Sequence, residues 1–168
     1  MIREFNGKRP RIAPTAFVSE AAYVIGDVEI GENSSVWPGA VIRGDFASIK
    51  IGNNTQIEDN CVMHAGTDQV VGDNVHIGHG AVVHCSKIGN NVLVGIQSTV
   101  LDGVEIGDYC VIGAYSLVLE RMRIPSRSFV IGSPAKMKGE VTQSQLERIE
   151  AGVRWYLDLT KQYKKQGL

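Results

Sequence analysis

The sequence is poor in aromatic residues, balanced in charge and without long apolar runs. Only 7% of its 168 residues are Phe, Trp or Tyr, so large rings cannot dominate the core. The 17 Lys and Arg nearly cancel the 18 Asp and Glu to a net charge of -1, which gives no general attraction to nucleic acid or anionic lipid. No apolar run reaches the ~18 residues of a membrane span. The first residues contain no apolar run that could serve as a signal peptide. Three widely spaced cysteines make no disulfide framework. We therefore expect one cytoplasmic domain.

What the chain does have is 19 glycines and an internal repeat of six residues. A branched aliphatic residue, or once a methionine, recurs at every sixth position, and we call these residues the anchors. Of the 19 steps between the 20 anchors, 16 span six residues. The steps from 42 to 51, from 63 to 71 and from 83 to 88 differ, and they predict loops. The anchors are Ile12, Val18, Val24, Ile30, Val36, Ile42, Ile51, Ile57, Met63, Val71, Ile77, Val83, Ile88, Val94, Val100, Ile106, Ile112, Val118, Ile124 and Val130.

This repeat predicts an all-β solenoid over residues 1–135. Each unit supplies one short strand and a corner, three units close one triangular coil, and stacked coils bury a column of aliphatic side chains. Small residues four positions after most anchors, such as Ala40 and Cys61, fill the remaining interior space. The glycine that follows many anchors is interpreted as a corner residue. The anchors correspond to about seven coils. The alternative, an antiparallel β-sandwich, does not explain a strict period of six.

Residues 136–168 are expected to form a linker and one α-helix. The repeat stops after Val130, and Thr142 followed three positions later by Gln145 has the pattern of a capping box. From Leu146 to Thr160, apolar residues recur at helical spacing. We therefore predict a helix from about 142 to 165 that packs on a face of the solenoid, either its own or that of a neighbouring subunit.

Two histidines occupy equivalent positions of the repeat. His64 follows the anchor Met63 and His84 follows the anchor Val83, and one full coil separates these anchors. The two side chains should stack on one face, because neighbouring strands lie about 4.8 Å apart. Arg43 holds the same position one coil earlier. The histidine pair is an incomplete metal site, since catalytic zinc takes three protein ligands.

His79 is the candidate third ligand, but the repeat places it on another face. It lies two positions after the anchor Ile77, and Asp59 holds the equivalent position one coil earlier. A homotrimer resolves this, because the histidine pair of one subunit can meet His79 of the next, which gives three equivalent sites. Arg43 and Asp59 would then form an ion pair between subunits. His76 is interpreted as a surface or hydrogen-bonding residue rather than a ligand.

These motifs make the chain similar, over essentially its whole length, to one family. They are the repeat, the final helix, Arg43-Gly44-Asp45, the segment from Gln56 to His64, the five-residue spacing of His79 and His84, and Gly132-Ser133-Pro134-Ala135-Lys136. With them the chain resembles the γ-class carbonic anhydrase family, and within it the short homologues that include carnitine-operon and phenylacetate-operon accessory proteins. Many acyltransferases share the hexapeptide repeat alone.

The resemblance implies a left-handed parallel β-helix, a homotrimer, and a zinc ion or, in its place, iron(II) or cobalt(II). The ion would be held by His64 and His84 of one subunit and by His79 of the next. The implied reaction is hydration of CO2 to bicarbonate by hydroxide generated at the metal.

The resemblance also implies roles for residues around the metal. Arg43, Asp45 and Asp59 would link subunits and orient the site. Gln56 stands where the family often has Asn, and Tyr156 on the helix is a candidate for a tyrosine that lines the site. Glu58 stands where many members have Gln and could handle protons near the metal.

Two departures from the family pattern favour metal binding over fast CO2 hydration. Phe46 directly follows Arg43-Gly44-Asp45, where some members carry a carboxylate. Part of the family has an acidic loop after the first histidine that shuttles protons. The corresponding loop here, Ala65-Gly66-Thr67-Asp68-Gln69, is short and is not of that acidic type.

Three other functions stay open at this point. The chain could be a metal-dependent acyl-CoA thioesterase, a hexapeptide-repeat acyltransferase with a histidine as general base, or a non-catalytic trimeric subunit that binds a metal for stability.

Overall fold

The computed structural model describes residues 1–64 and 66–168, and it is a parallel β-solenoid of about seven turns followed by one C-terminal helix. This confirms the solenoid predicted from the repeat. Ala65, the first residue of the loop expected after His64, lies outside the described residues. Within the described chain, no helix has the length and apolarity needed to cross a membrane.

Most strands are two residues long, as a six-residue repeat requires. The elements are β1 (Ile2–Arg3), β2 (Arg11–Ile12), β3 (Phe17–Val18), β4 (Tyr23–Ile30), β5 (Ser35–Val36), β6 (Val41–Ile51), β7 (Gln56–Ile57), β8 (Val62–His64), β9 (Gln69–Val71), β10 (His76–Ile77), β11 (Val82–Val83), β12 (Lys87–Ile88), β13 (Leu93–Val94), β14 (Thr99–Val100), β15 (Glu105–Ile106), β16 (Val111–Ile112), β17 (Leu117–Val118), β18 (Arg123–Ile124), β19 (Ser128–Gly132), β20 (Ala135–Glu140) and α1 (Gln143–Gln166).

Two sheets run along the solenoid. An eight-stranded sheet has the order β20-β19-β16-β13-β10-β7-β5-β3, and a twelve-stranded sheet contains the path β17-β14-β11-β8-β6-β9-β12-β15-β18. Except for β20, the strands pair in parallel, and the anchors face one another coil by coil: Ile42 opposite Met63, Met63 opposite Val83, and Val83 opposite Val100. The coil register read from the sequence is therefore confirmed where the histidine pair lies.

The nine-residue step between Ile42 and Ile51 is not a loop, contrary to expectation. β6 runs through the whole step and pairs with β8 through its first three residues and with β9 through its last three. One continuous strand thus joins two faces of the solenoid. Asp45 and Phe46 lie on β6 between these two pairings, so a strand rather than a loop positions them.

The main core of the described residues is a column of anchors and small residues. The anchors from Val24 to Val130 are at most 3% exposed, and Cys61, Cys85 and Cys110 are fully buried among them. Burial of each large aliphatic side chain contributes about 1.5–3 kcal/mol. Regular stacking of these side chains, without large rings, therefore stabilises the solenoid.

The glycines after the anchors lie at the start of the corners, as expected, but they do not adopt the left-handed conformation. The left-handed backbone conformation at many corners is adopted by other residues, such as Asn54, Asn74 and Tyr109. At Gly52 the requirement is space, because a Cβ would lie 2.6 Å from the carbonyl oxygen of Gly72 one coil later. Close approach of stacked backbones explains this glycine, and corner asparagines supply the turns.

The C-terminal segment begins with a strand, where the sequence predicted a linker. β20 folds back antiparallel on β19 and covers the open edge of the eight-stranded sheet. α1 begins after the N-cap Thr142, whose side chain accepts from the Gln145 backbone N–H while the Gln145 side chain accepts from the Thr142 N–H. This confirms the capping box. The helix packs Ile149 against Val111 and Phe129 of the eight-stranded sheet of its own chain.

Candidate metal centre

The histidine pair lies on the face formed by β8 and β11. Nδ1 of His64 is 3.1 Å from Nε2 of His84, and the two ring centroids are 5.1 Å apart. Parallel pairing of β8 with β11 stacks the two positions, as the repeat predicted. Phe46 is 78% exposed and packs its ring edge-on at 5.6 Å from the ring of His64.

A carboxylate contacts the outer nitrogen of each ring in the pair. Asp45 Oδ1 lies 3.1 Å from His64 Nε2, and Asp102 Oδ1 lies 2.8 Å from His84 Nδ1. Four successive coils thus contribute Asp45, His64, His84 and Asp102. The sequence interpretation missed Asp102, although its place two positions after the anchor Val100 puts it one coil beyond His84.

Arg43 and Asp45 form an ion pair within the protomer. Partial burial raises the pKa of Asp45, but the hydrogen bond and charge of Arg43 outweigh this effect and hold the pKa below its usual range. Asp45 is therefore ionised at neutral pH and accepts the N–H of His64. The predicted Arg43–Asp59 pair between subunits stays a prediction, since Arg43 here contacts Asp45.

His79 lies apart from the histidine pair, in the turn after β10 of the eight-stranded sheet. Its ring is 47% exposed, with Nδ1 3.0 Å from Asp59 Oδ2 and Nε2 3.2 Å from Glu58 Oε2. Its backbone N–H also donates to Glu58 at 2.9 Å. The Asp59–His79 column expected from the sequence is thus present, and His79 projects from a different sheet than the pair.

Glu58 is buried between His79 and the C-terminal helix. Besides the His79 contacts, His76 Nδ1 lies 3.8 Å from its carboxylate, and the Tyr156 hydroxyl is directed to it. Burial raises the pKa of Glu58, but His76, Tyr156 and His79 together hold the pKa below its ordinary value. Burial and the neighbouring carboxylate raise the pKa of Tyr156, so its hydroxyl keeps its proton.

His76 lies beneath the helix, and Gln56 is its neighbour on the adjoining strand. Gln56 on β7 and His76 on β10 are opposite one another, and they are 0% and 5% exposed. The Gln56 amide donates to the Asn54 carbonyl at 2.6 Å, and the described contacts do not join Gln56 to His64, His79 or His84. His76 is therefore buried between the sheet and the helix and is not a surface residue.

A cavity of about 480 Å³ lies between α1 and the eight-stranded sheet. Glu58 and His79 lie on its wall, together with apolar side chains that include Ile96, Phe129 and Trp155. The cavity thus adjoins the histidine that is expected to serve a neighbouring subunit.

The histidine pair fits two corners of a tetrahedral metal site. Two nitrogen ligands of zinc, each about 2.0–2.1 Å from the ion, are about 3.3–3.4 Å apart. The 3.1 Å separation of His64 Nδ1 and His84 Nε2 is close to this spacing. In the described part of a single chain, no group of three His, Cys, Asp or Glu residues could hold a metal ion. The described part of one chain therefore supplies two adjacent candidate ligands here, and His79 lies apart from them.

Comparison with known proteins places these features in a family. Residues 85–120 match the model of the bacterial transferase hexapeptide (six repeats). Over 92% of its length the chain is 36% identical to mitochondrial gamma carbonic anhydrase 2 of Arabidopsis thaliana and spans 58% of that protein. It is 38% identical to the carnitine operon protein CaiE of Escherichia coli, over 92% of this chain and 80% of the relative.

Two solved structures cover nearly the whole fold. A hexapeptide transferase family protein from Anaplasma phagocytophilum matches with a TM-score of 0.92 and 35% identity, over 96% of this chain and 97% of its own. A Bacillus cereus protein proposed to be an acetyltransferase matches with a TM-score of 0.94 and 34% identity, over 98% and 97%. The chain therefore belongs to the hexapeptide-repeat family that contains the γ-class carbonic anhydrases and the CaiE proteins.

Proposed function

We propose that the protein is a homotrimeric γ-type carbonic anhydrase that holds one divalent metal ion at each subunit interface and hydrates CO2 to bicarbonate. The observation that carries this proposal is the histidine pair: two ring nitrogens 3.1 Å apart, each ring held from behind by a carboxylate. Similarity to gamma carbonic anhydrases over most of the chain supports it.

Within this proposal, His64 and His84 of one subunit and His79 of the next bind the ion. Zinc suits three imidazoles, and iron(II) and cobalt(II) accept the same ligands. When bound, such an ion would lower the pKa of a water molecule to about 7 and so supply hydroxide at neutral pH for attack on CO2.

The surroundings of Glu58 favour a role in orienting His79 over a role in proton transfer. A general base is most effective when its pKa lies near the working pH, whereas the pKa of Glu58 is held below its ordinary value. Its carboxylate also contacts both the backbone N–H and the ring of His79. Arg43 acts on the other half of the site, because it fixes Asp45 against His64.

The subunit arrangement is tested by mixing two defective variants. His79→Ala lacks the third ligand, and His64→Ala lacks one of the pair, so neither variant alone should bind zinc tightly. In trimers reassembled from a 1:1 mixture, about one quarter of the sites should combine an intact pair with an intact His79 and recover zinc. No recovery of zinc binding in the mixture would contradict a site shared between subunits.

The activity is tested by stopped-flow CO2 hydration with the zinc-loaded trimer and, under anaerobic conditions, the iron(II)-loaded trimer. A rate above that of buffer, abolished by His79→Ala, is the expected result. A metal-loaded trimer with no rate above buffer in either form would remove the enzymatic proposal and leave a metal-binding assembly subunit.

The cavity beside His79 supports a second candidate, a metal-dependent acyl-CoA thioesterase. CO2 has three atoms and does not need about 480 Å³ of space lined by apolar side chains. A panel of acyl-CoA substrates, assayed for free thiol with and without a chelator, tests this function. Absence of thiol release from every substrate would remove it.

A further inference from the structure

Asp102 lies against the histidine pair but belongs to none of the motifs that point to the metal centre. Its Oδ1 lies 2.8 Å from Nδ1 of His84, closer than either of the 3.1 Å contacts of His64. A carboxylate only accepts hydrogen bonds, so this contact requires the proton of His84 to be on Nδ1. In the neutral ring, Nε2 of His84 then carries a lone pair.

Asp45 has the equivalent effect on the other ring. Its contact with His64 Nε2 places the proton of His64 on that nitrogen and leaves a lone pair on Nδ1. The two nitrogens that face one another at 3.1 Å are therefore both acceptors. Two facing lone pairs repel, and a cation between them removes that repulsion.

Without Asp102, the pair has a competing arrangement. The proton of His84 can move to Nε2 and donate to Nδ1 of His64, which makes a direct hydrogen bond between the two ligands. That bond must break before a metal can bind. The carboxylate thus holds the pair in the form that accepts a cation.

We propose that Asp102 is a positioning residue of the candidate metal centre, which fixes His84 as the Nδ1–H tautomer and directs its Nε2 lone pair to the ion. This inference rests on the proposed metal site, but it does not depend on whether that site hydrates CO2.

The fold brings the Asp102 carboxylate to this place through the backbone. β14 pairs with β11 with Val100 opposite Val83, and the His84 N–H donates to the Val100 carbonyl at 2.8 Å. The Asp102 carbonyl accepts the N–H of Arg121 from the next coil at 2.8 Å. Backbone contacts on both sides therefore hold the turn that carries the side chain.

Zinc affinity of the metal-free full-length protein, measured by competition with a chelator, tests the proposal. Asp102→Ala should weaken zinc binding about 10–100-fold, the usual effect of losing a carboxylate behind a ligating histidine. Asp102→Asn should weaken it less, because the amide oxygen can still accept. Glu120→Gln is the matched control, since Glu120 is exposed at the same position one coil later and should leave the affinity unchanged.

Tautomer assignment by 15N NMR gives a second measurement that needs no metal. At pH 8, His84 should be the Nδ1–H form in the wild type and shift towards the Nε2–H form in Asp102→Ala. A merely structural role would change the thermal stability and not the tautomer.

The outcomes separate this inference from the proposed function. Wild-type protein that binds zinc, with Asp102→Ala within twofold of its affinity and an unchanged tautomer, would overturn the role of Asp102 alone. Wild-type protein that binds no zinc would overturn both. Zinc binding that depends on Asp102, without CO2 hydration, would support the role of Asp102 and contradict only the carbonic anhydrase activity.

Discussion

Gly152 of the C-terminal helix lies directly on the imidazole of His76. A Cβ at Gly152 would be 2.7 Å from Cε1 and 2.9 Å from Nε2 of that ring. Elsewhere in a helix, glycine costs about 1 kcal/mol relative to alanine. Its presence here lets α1 approach the sheet closely enough for Tyr156 to reach Glu58.

We therefore expect Gly152→Ala to lower the free energy of unfolding, because overpacking of about 1–3 kcal/mol exceeds the gain in helix propensity. In a His76→Ala background the ring is absent, so the same change should become stabilising. Urea denaturation at fixed protein concentration measures both effects. Arg154→Ala, on the exposed side of the helix, is the control and should change stability by no more than about 0.5 kcal/mol. An equal effect of Gly152→Ala in both backgrounds would contradict the contact.

Glu58→Ala and Glu58→Gln together separate orientation of His79 from proton transfer. If the carboxylate orients His79, its loss in Glu58→Ala should weaken zinc binding about tenfold or more, and Glu58→Gln should weaken it less, because the amide oxygen can still accept from the His79 N–H. If the carboxylate instead transfers protons, the affinity should stay constant while kcat falls. Chelator competition and CO2 hydration kinetics on the same samples measure the two quantities. Glu105→Gln, at a carboxylate that pairs with Arg123 on another face, should change neither.

The cysteines should be unreactive in the folded protein. Burial raises the pKa of Cys61 and of Cys85 to about 12, and it also raises the pKa of Cys110. A disulfide reagent at pH 8 should therefore label none of them in the native state and all three after unfolding. Ser144→Cys supplies an exposed thiol on the helix as a reference for reaction at full rate.

The same pKa shifts predict a loss of stability in alkali. Because the folded pKa values lie above the ordinary 9.0, the folded state keeps thiol protons that the unfolded state releases. The free energy of unfolding should thus fall as the pH rises from 9 towards 12. A Cys85→Ala variant should show a shallower fall, and an unchanged slope would count against the burial argument.

The histidine pair could be located from the sequence because the period of the repeat fixes which residues stack. Met63 and Val83 are anchors one coil apart, so the positions of His64 and His84 follow from counting. The position of Asp102 one coil beyond His84 follows from the same count. The sequence alone, however, does not distinguish this aspartate from a solvated surface charge. Only the side-chain contact with His84 does so.

Other parts of the molecule depend on contacts that no period encodes. β6 continues through the irregular step because its two halves pair with different strands, β8 and β9. β20 is held in place by antiparallel pairing with β19, which otherwise would be an open edge of the sheet. The contacts of Glu58 require α1 to pack on the sheet of its own chain. The apolar pattern of the helix is equally compatible with packing on a neighbouring subunit.

Phe46 offers a test of why CO2 hydration is expected to be slow. Its exposed ring lies against His64, where a carboxylate could accept a proton from the site and pass it to solvent. Phe46→Glu should raise kcat for CO2 hydration by about tenfold or more in dilute buffer, where proton transfer limits turnover, and zinc affinity should not change. Phe46→Gln has nearly the same size but cannot accept the proton, so it should keep the wild-type rate. Concentrated buffer should remove the difference between the two variants, because buffer molecules then carry the protons. Equal rates for Phe46→Glu and Phe46→Gln in dilute buffer would mean that another step limits the reaction.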